Sequence, residues 1–341
     1  MPAGVMRAVE FQGNGRAAVL ERPIPEVKNP DDVLLRVQAV GVCGTDVHIL
    51  SVPPGQEASE GVILGHEYTG EVVEVGNGVR SVSVGDRVVV DPTVRCGYCN
   101  FCKDGLTNMC QNLTALGIFI DGGFAEYNIA PESNLHQVPD HMLPERAAFA
   151  EPLACVVNAR NQLRPQAGES VAILGAGPIG QLFTQVLGAE GVRPIIVSEP
   201  SEFRREYAKR SGAHRVVNPL EESLEAAVQK ETGRGADIVV DAVGSLFPQT
   251  LQVARTGGRV MLFGQNTEAH AEITQNDITQ RCLTVIGSWI TNYTFPTAIR
   301  LLDSGALRVE ELITHEFGLN EFDQAIDLLR EGQAIKILLR P

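Results

Sequence analysis

Apolar positions follow two different rhythms along the chain, and the change falls after Pro144. Before it, short apolar runs at 33–40, 70–75 and 87–90 are separated by turn signals such as Gly76-Asn77-Gly78 and Gly85-Asp86. Short strands at this spacing predict an antiparallel, barrel-like domain. After it, Glu151-Pro152 opens a helical run over 153–163, with Pro at the first helical position. From Gly168 strand and helix alternate. Strands are predicted at 171–174, 194–197, 215–217, 238–240, 259–263 and 283–286, and helices at 178–187, 201–210 and 224–231. That alternation predicts a doubly wound parallel sheet. Two further helices are predicted at 296–302 and 321–330. The apolar segment 335–339 reads as a strand returning to the first domain.

The α/β architecture therefore divides into residues 1–155, a nucleotide-binding domain at 156–291, and a return at 292–341. Composition agrees. A chain of 341 residues with 44% hydrophobic and 21% charged positions has the size and balance of two globular domains. Lys plus Arg is 28 and Asp plus Glu is 42, so the net charge is −14. Such a surface repels phosphate backbones and anionic lipid, which argues against nucleic-acid and membrane partners. No apolar stretch approaches the ~20 residues needed to span a bilayer. Residues 1–10 hold one Arg and no long apolar run, so no leader is expected and the cytoplasm is the default.

Four of the seven cysteines crowd together. Cys96, Cys99, Cys102 and Cys110 read C-x2-C-x2-C-x7-C, the donor set of a closed, structural zinc site in a lobe at 96–110. An iron–sulfur run would have a three-residue last gap followed by Pro. Here the gap is seven and Gln111 follows. Cys155 and Cys282 sit among apolar neighbours and read as core residues.

Gly175-Ala176-Gly177-Pro178-Ile179-Gly180 is G-x-G-x-x-G between a predicted strand and a predicted helix, the Rossmann dinucleotide fingerprint. Gly175 makes the turn, Gly177 admits the pyrophosphate, and Gly180 lets helix and sheet pack. The helix N-terminus attracts phosphate. Glu199 ends the next strand, 19 residues after Gly180. A carboxylate there binds an adenosine ribose and repels a 2′-phosphate, favouring NAD. Arg204 and Arg205 keep NADP as the lesser alternative.

A second group of ligand types follows the 33–40 strand: Cys43-Gly44-Thr45-Asp46-Val47-His48, then Gly65-His66-Glu67. Thiolate, imidazole and carboxylate all bind zinc, and a catalytic zinc has three protein ligands with one open position.

Taken together, Cys43-Gly44-Thr45-Asp46, Gly65-His66-Glu67, the four-cysteine lobe and Gly175 to Gly180 closely resemble the zinc-dependent medium-chain dehydrogenase/reductase family, in its order and over essentially the whole length. Glu151-Pro152-Leu153-Ala154 is similar to the polyol dehydrogenase branch, with threonine dehydrogenases nearby. The resemblance implies a chaperonin-10-type barrel completed by the C-terminal segment, and a Rossmann domain between. It implies a catalytic zinc on Cys43 and His66, beside the structural one, with Glu67 or Glu151 as third ligand. It also implies a proton relay from Thr45 through the nicotinamide ribose to His48, and a homo-oligomer, tetramer or dimer, joined at the edge of the nucleotide sheet. Asp46 orients a ligand or caps the local turn.

An alcohol keeps its proton far above neutral pH, and zinc as a Lewis acid makes that proton removable. A small-molecule alcohol would then pass hydride to NAD, with the cofactor carrying the redox chemistry. The sorbitol branch carries an Arg-Tyr pair where this chain has Ile290-Thr291. The expected substrate is therefore another polyol, a sugar or a cyclitol hydroxyl. A threonine-type amino alcohol is the alternative, and a zinc-free reductase of the same fold a further one. Leu50, Ile118, Phe119 and Trp289 are candidate pocket residues. His136, His141, His214, His270 and His315 lack ligand-like neighbours.

Overall fold

A computed structural model describes residues 4–341 and resolves two compact units. One comprises residues 4–154, Thr291–Gly305 and Val309–Pro341. The other comprises Cys155–Ile290 and Ala306–Arg308.

The first unit is built on a seven-stranded sheet. Its path runs Ile313–Gly318, Lys336–Arg340, Asp32–Val42, Glu67–Val75, Arg87–Val90 and Leu135–Gln137, with Tyr127–Pro131 also pairing with Asp32–Val42. Asp32–Val42 is central and pairs antiparallel with three strands, so nearly every side chain beyond Val33 is buried on both faces. Lys336–Arg340 is the returning segment: Leu338 pairs with Gly41, and Gly41 pairs with Glu67. This register sets Lys336 and Glu67 around one point of the sheet. A hairpin, Val5–Phe11 with Ala17–Pro23, closes over the core and bridges to Ala125 and Ile63. Met6, Val9, Val37, Val40, Tyr68, Phe124 and Phe322 belong to one buried cluster. Each fully buried aliphatic or aromatic side chain contributes about 2 kcal/mol.

The second unit is a six-stranded, wholly parallel sheet in the order Arg215–Val217, Ile195–Ser198, Val171–Leu174, Ala236–Asp241, Ala254–Leu262, Thr284–Gly287. The chain starts in the middle, works outward on one side, then returns to fill the other. The switch beside Val171–Leu174 is where this fold binds ligands. Val171, Ala172, Ile173 and Leu174 are all buried, because helices cover both faces. Ser201 caps Glu202–Arg210 and Ser223 caps Leu224–Thr232, each accepting from a backbone N–H of the first turn.

Two expectations are corrected. The long helix begins at Ala150, so Pro152 lies within its first turn and not at its first position. No intrahelical bond is lost, because N–H groups of a first turn have no partner four residues back. Cys282 is exposed, not core. It sits at φ +49° in the turn after Gln275–Thr279, and its neighbour Leu283 takes the buried place.

Candidate functional site

Strand Asp32–Val42 ends at Cys43, which opens the short helix Gly44–Ile49. The Cys43 N–H donates to Asp46 Oδ2 (2.8 Å), which fixes the turn and buries Asp46 completely. Thr45 Oγ1 lies 3.7 Å from Cys43 Sγ. His48 follows one turn later and is exposed. Arg330 Nη2 donates to the Leu50 carbonyl at the helix C-terminus (3.0 Å), holding that end with a cation.

His66 immediately precedes, and Glu67 begins, the neighbouring strand Glu67–Val75. Gly65 precedes them at φ +90°, and a Cβ there would strike the Phe124 ring at 2.6 Å. Only glycine lets the strand start in this direction. One ligand atom each from Cys43, His66 and Glu67 lies within 4.8 Å of the others. Glu151 is not in that group. It stands half-buried in the first turn of Ala150–Leu163, and its charge acts on His66 and Lys336.

The electrostatics call for a cation. Burial and the Glu67 charge push the Cys43 thiol up. Burial pushes Asp46 up to about 6. Burial works to lower His66, but the Cys43 hydrogen bond and the Asp46 charge raise it to about 10. Burial raises the thiol and the carboxyl, and their negative charge raises the imidazole; a divalent ion binding the same donors would displace those protons. The buried atoms Asp46 Oδ1 and His66 Nδ1 have no hydrogen-bond partner and stand 3.7 Å apart. His66 thus stands with Nδ1 beside the Asp46 carboxylate, the usual stance of a metal-binding imidazole backed by a carboxylate. The donor set fits zinc.

The four lobe cysteines also gather their sulfurs within 4.8 Å, and none forms a disulfide. Cys96 and Cys110 sulfurs are 3.6 Å apart, against ~3.8 Å for the edge of a tetrahedron with Zn–S bonds of ~2.3 Å. Cys96 N–H points at Cys110 Sγ and Cys99 N–H at Cys96 Sγ (both 3.4 Å). The Asn112 side chain, with the N–H groups of Tyr98 and Cys99, draws the Cys96 thiol down to about 6. Cys99 is lowered in the same direction by the N–H groups of Gln111 and Cys102, whereas burial pushes Cys102 up to about 12. The lobe also grips the chain beyond Ile290: Arg95 Nη2 donates to Thr291 Oγ1 (3.2 Å), and Asn292 bonds Thr107 and Gly105.

In the second unit, Gly175 turns at φ +98°, and a Cβ there would meet Val243 at 2.7 Å. A Cβ on Gly180 would overlap the Gly175 carbonyl oxygen. Gly177 faces open space at the N-terminus of Pro178–Ala189, leaving room for a phosphate, and Ile179 continues the first turn. Glu199 is 4% exposed. Its Oε2 accepts from Ala176 N–H (2.8 Å) and its Oε1 from Ser201 N–H (2.9 Å), so it braces the glycine turn and is no solvated loop charge. Each oxygen keeps a lone pair for a ribose hydroxyl. Arg204 Nε is buried without a hydrogen-bond partner, while Arg205 is engaged with the Glu199 and Pro200 carbonyls.

Of the candidate pocket residues, Leu50 is buried, Ile118 half-buried, and Phe119 and Trp289 exposed. Thr291 is buried with its hydroxyl on Arg95, and the Ile290 carbonyl accepts from Asn158 (2.7 Å). Sequence reasoning missed Lys336, which is 1% exposed and ion-paired with Glu67. A lone Lys inside Ala334-Ile335-Lys336-Ile337-Leu338-Leu339 was the available signal. Arg95, Asn292 and Arg330 carried none.

The family profile described as "Alcohol dehydrogenase GroES-like domain" matches residues 29–140, and the one described as "Zinc-binding dehydrogenase" matches 178–304. An L-threonine 3-dehydrogenase of Pyrococcus furiosus is 39% identical, covering 94% of each chain. A D-arabitol-phosphate dehydrogenase of Enterococcus avium is 35% identical, covering 98% of this chain and 97% of that protein. Among solved structures, an alcohol dehydrogenase from Thermus sp. ATN1 superposes with a TM-score of 0.92 at 31% identity, covering 98% and 99% of the two chains. The chain belongs to the zinc-dependent medium-chain dehydrogenases, with a chaperonin-10-like catalytic domain and a Rossmann domain, and is an enzyme of their alcohol dehydrogenase kind.

Proposed function

We propose that the enzyme oxidises a secondary alcohol of a small polyhydroxylated molecule, a polyol, sugar or cyclitol, with NAD as the oxidant. The observation that carries this reading is the buried group Cys43, His66 and Glu67, with Asp46 behind His66. Cys43 and His66 would hold a catalytic zinc, with Glu67 in the group and Glu151 as the alternative third ligand. Cys96, Cys99, Cys102 and Cys110 would hold a structural one. Zinc supplies Lewis acidity that makes a hydroxyl proton removable near neutral pH. Thr45, whose hydroxyl lies beside Cys43, would take that proton and pass it through the nicotinamide ribose to exposed His48, which exchanges with solvent. NAD supplies the hydride acceptor. Gly175, Gly177, Pro178, Ile179 and Gly180 would seat its pyrophosphate, and Glu199, with Arg204 beside it, its adenosine ribose.

Ile290 has an apolar side chain, and Thr291 Oγ1 accepts from Arg95, so the Arg-Tyr pair of the sorbitol branch has no like-for-like counterpart here. A threonine-type substrate is the second reading, favoured by the 39% identity to an L-threonine 3-dehydrogenase. NADP is the second cofactor reading, favoured by the unpartnered Arg204 Nε. A cytoplasmic homotetramer completes the proposal. Thr284–Gly287 is an unpaired edge of the parallel sheet, open to a second copy, and no helix among the described residues is long and apolar enough to cross a membrane.

The test is reduction of NAD and of NADP across polyols, sugars, cyclitols and L-threonine. Turnover of a polyol-class alcohol with NAD supports the proposal. Turnover of L-threonine alone, or with NADP alone, replaces it.

A further inference from the structure

Lys336 is an expensive residue to bury. It lies on the returning strand Lys336–Arg340 at 1% exposure, with Nζ ion-paired to Glu67 Oε2 and 3.4 Å from the Val42 carbonyl. The Phe149 ring covers it, with the centroid 6.0 Å from Nζ. The fold makes space for this pair: Gly41 lies opposite Glu67 in the register, and a Cβ there would land on Glu67 Oε2 and Lys336 Nζ. The ammonium faces a dense set of charges. Glu67 comes from the strand Glu67–Val75, Cys43 from the start of Gly44–Ile49, and Glu151 from Ala150–Leu163.

We propose that Lys336 is a positioning residue that holds Glu67 by one oxygen and deliberately weakens zinc binding at the Cys43–His66–Glu67 group. The inference rests on the zinc reading above. Two effects act in the same direction. With Oε2 committed to Lys336, Glu67 offers the metal one oxygen rather than two. The ammonium also adds a positive charge to the same buried group, where like charges repel strongly. Glu67 is thereby kept from enclosing the ion, and a coordination position remains for substrate, as a catalytic site requires.

The test uses the full-length protein and zinc alone. Zinc is stripped and returned, and its affinity is read by competition with a chromophoric chelator in wild type, Lys336→Met and Lys336→Arg. Wild type should hold two zinc ions per chain. In Lys336→Met the weaker-held ion should bind roughly tenfold tighter or more, and Lys336→Arg should restore wild-type affinity. A residue that merely supports the fold would, on removal, loosen the metal. Unchanged or weaker binding in a folded Lys336→Met overturns the proposal. If Lys336→Met does not fold, Glu67→Gln is compared with Glu67→Gln/Lys336→Met, which leaves no unpaired buried charge. Tighter binding in the double variant supports the charge effect, and equal or weaker binding overturns it. If wild type holds only the lobe zinc and Cys43→Ser changes nothing, it is the catalytic-zinc reading that fails.

Discussion

Asp46 Oδ1 stops 3.7 Å from His66 Nδ1, and neither buried atom has a hydrogen bond. The other oxygen of Asp46 is spent on the Cys43 N–H, so one carboxylate serves two candidate ligands. Asp46→Asn keeps an acceptor for that N–H but removes the charge behind the imidazole. We expect zinc affinity to fall ~10–100-fold with little change in thermal stability. Chelator competition and a melting curve check this, and unaltered zinc retention would count against the backing role.

The two cysteine groups should fail differently. Cys43→Ser should fold and melt like wild type but lose alcohol oxidation. Cys99→Ser opens a tetrathiolate site whose metal binding contributes to folding. The lobe holds Thr291 and Asn292 through Arg95, Thr107 and Gly105, so its loss should also free that segment. Hydrogen exchange over 290–294 should rise in Cys99→Ser and stay unchanged in Cys43→Ser. Full activity in Cys43→Ser would refute the catalytic assignment.

Gly177 and Gly180 differ in the same testable manner. A methyl at Gly177 meets nothing within 4 Å, so Gly177→Ala should fold normally and raise the KM for NAD severalfold by crowding the pyrophosphate. A methyl at Gly180 runs into the Gly175 carbonyl, so Gly180→Ala should lower the melting temperature as well as cofactor binding. Equal melting temperatures for the two variants would contradict this distinction.

Asp237 predicts an acid limb. Burial works to raise its carboxyl, but hydrogen bonds from the Ser170 N–H (2.8 Å) and hydroxyl (2.7 Å) and the Arg255 guanidinium bring it down to about 2. Its folded value lies below the unfolded 3.8, so the stabilisation is present above 3.8 and fades as pH falls toward 2. Asp237→Asn should cost on the order of 2 kcal/mol at neutral pH. That difference should shrink between pH 4 and pH 2 in denaturant titrations. A difference independent of pH would disprove the linkage.

Why some of this was readable and some not follows from distance along the chain. Val171–Leu174 and the Ile238–Val240 stretch of Ala236–Asp241 read easily, because a strand buried on both faces carries an apolar run. The hairpin Val5–Phe11 with Ala17–Pro23 did not, because Glu10 and Arg22 look solvated until they are seen paired across it. Cys282 occupies a turn at φ +49°, between Arg281 and Leu283, and only Leu283 is buried there. The cysteine lobe and the glycine turn are local, so spacing pointed to them; Cys43 and His66 lie 23 residues apart and were singled out by the resemblance to the family. Lys336 meets Glu67 across 269 positions, and no local pattern announces a partner that remote.

The same remoteness orders events during synthesis. Cys43, His66 and Glu67 leave the ribosome early, yet Lys336–Arg340 must be translated before it can take its place beside Asp32–Val42. Until then the Glu67 carboxylate waits without its counter-charge. A nascent chain arrested before residue 336 would thus carry Cys43, His66 and Glu67 without the strand that supplies their cation.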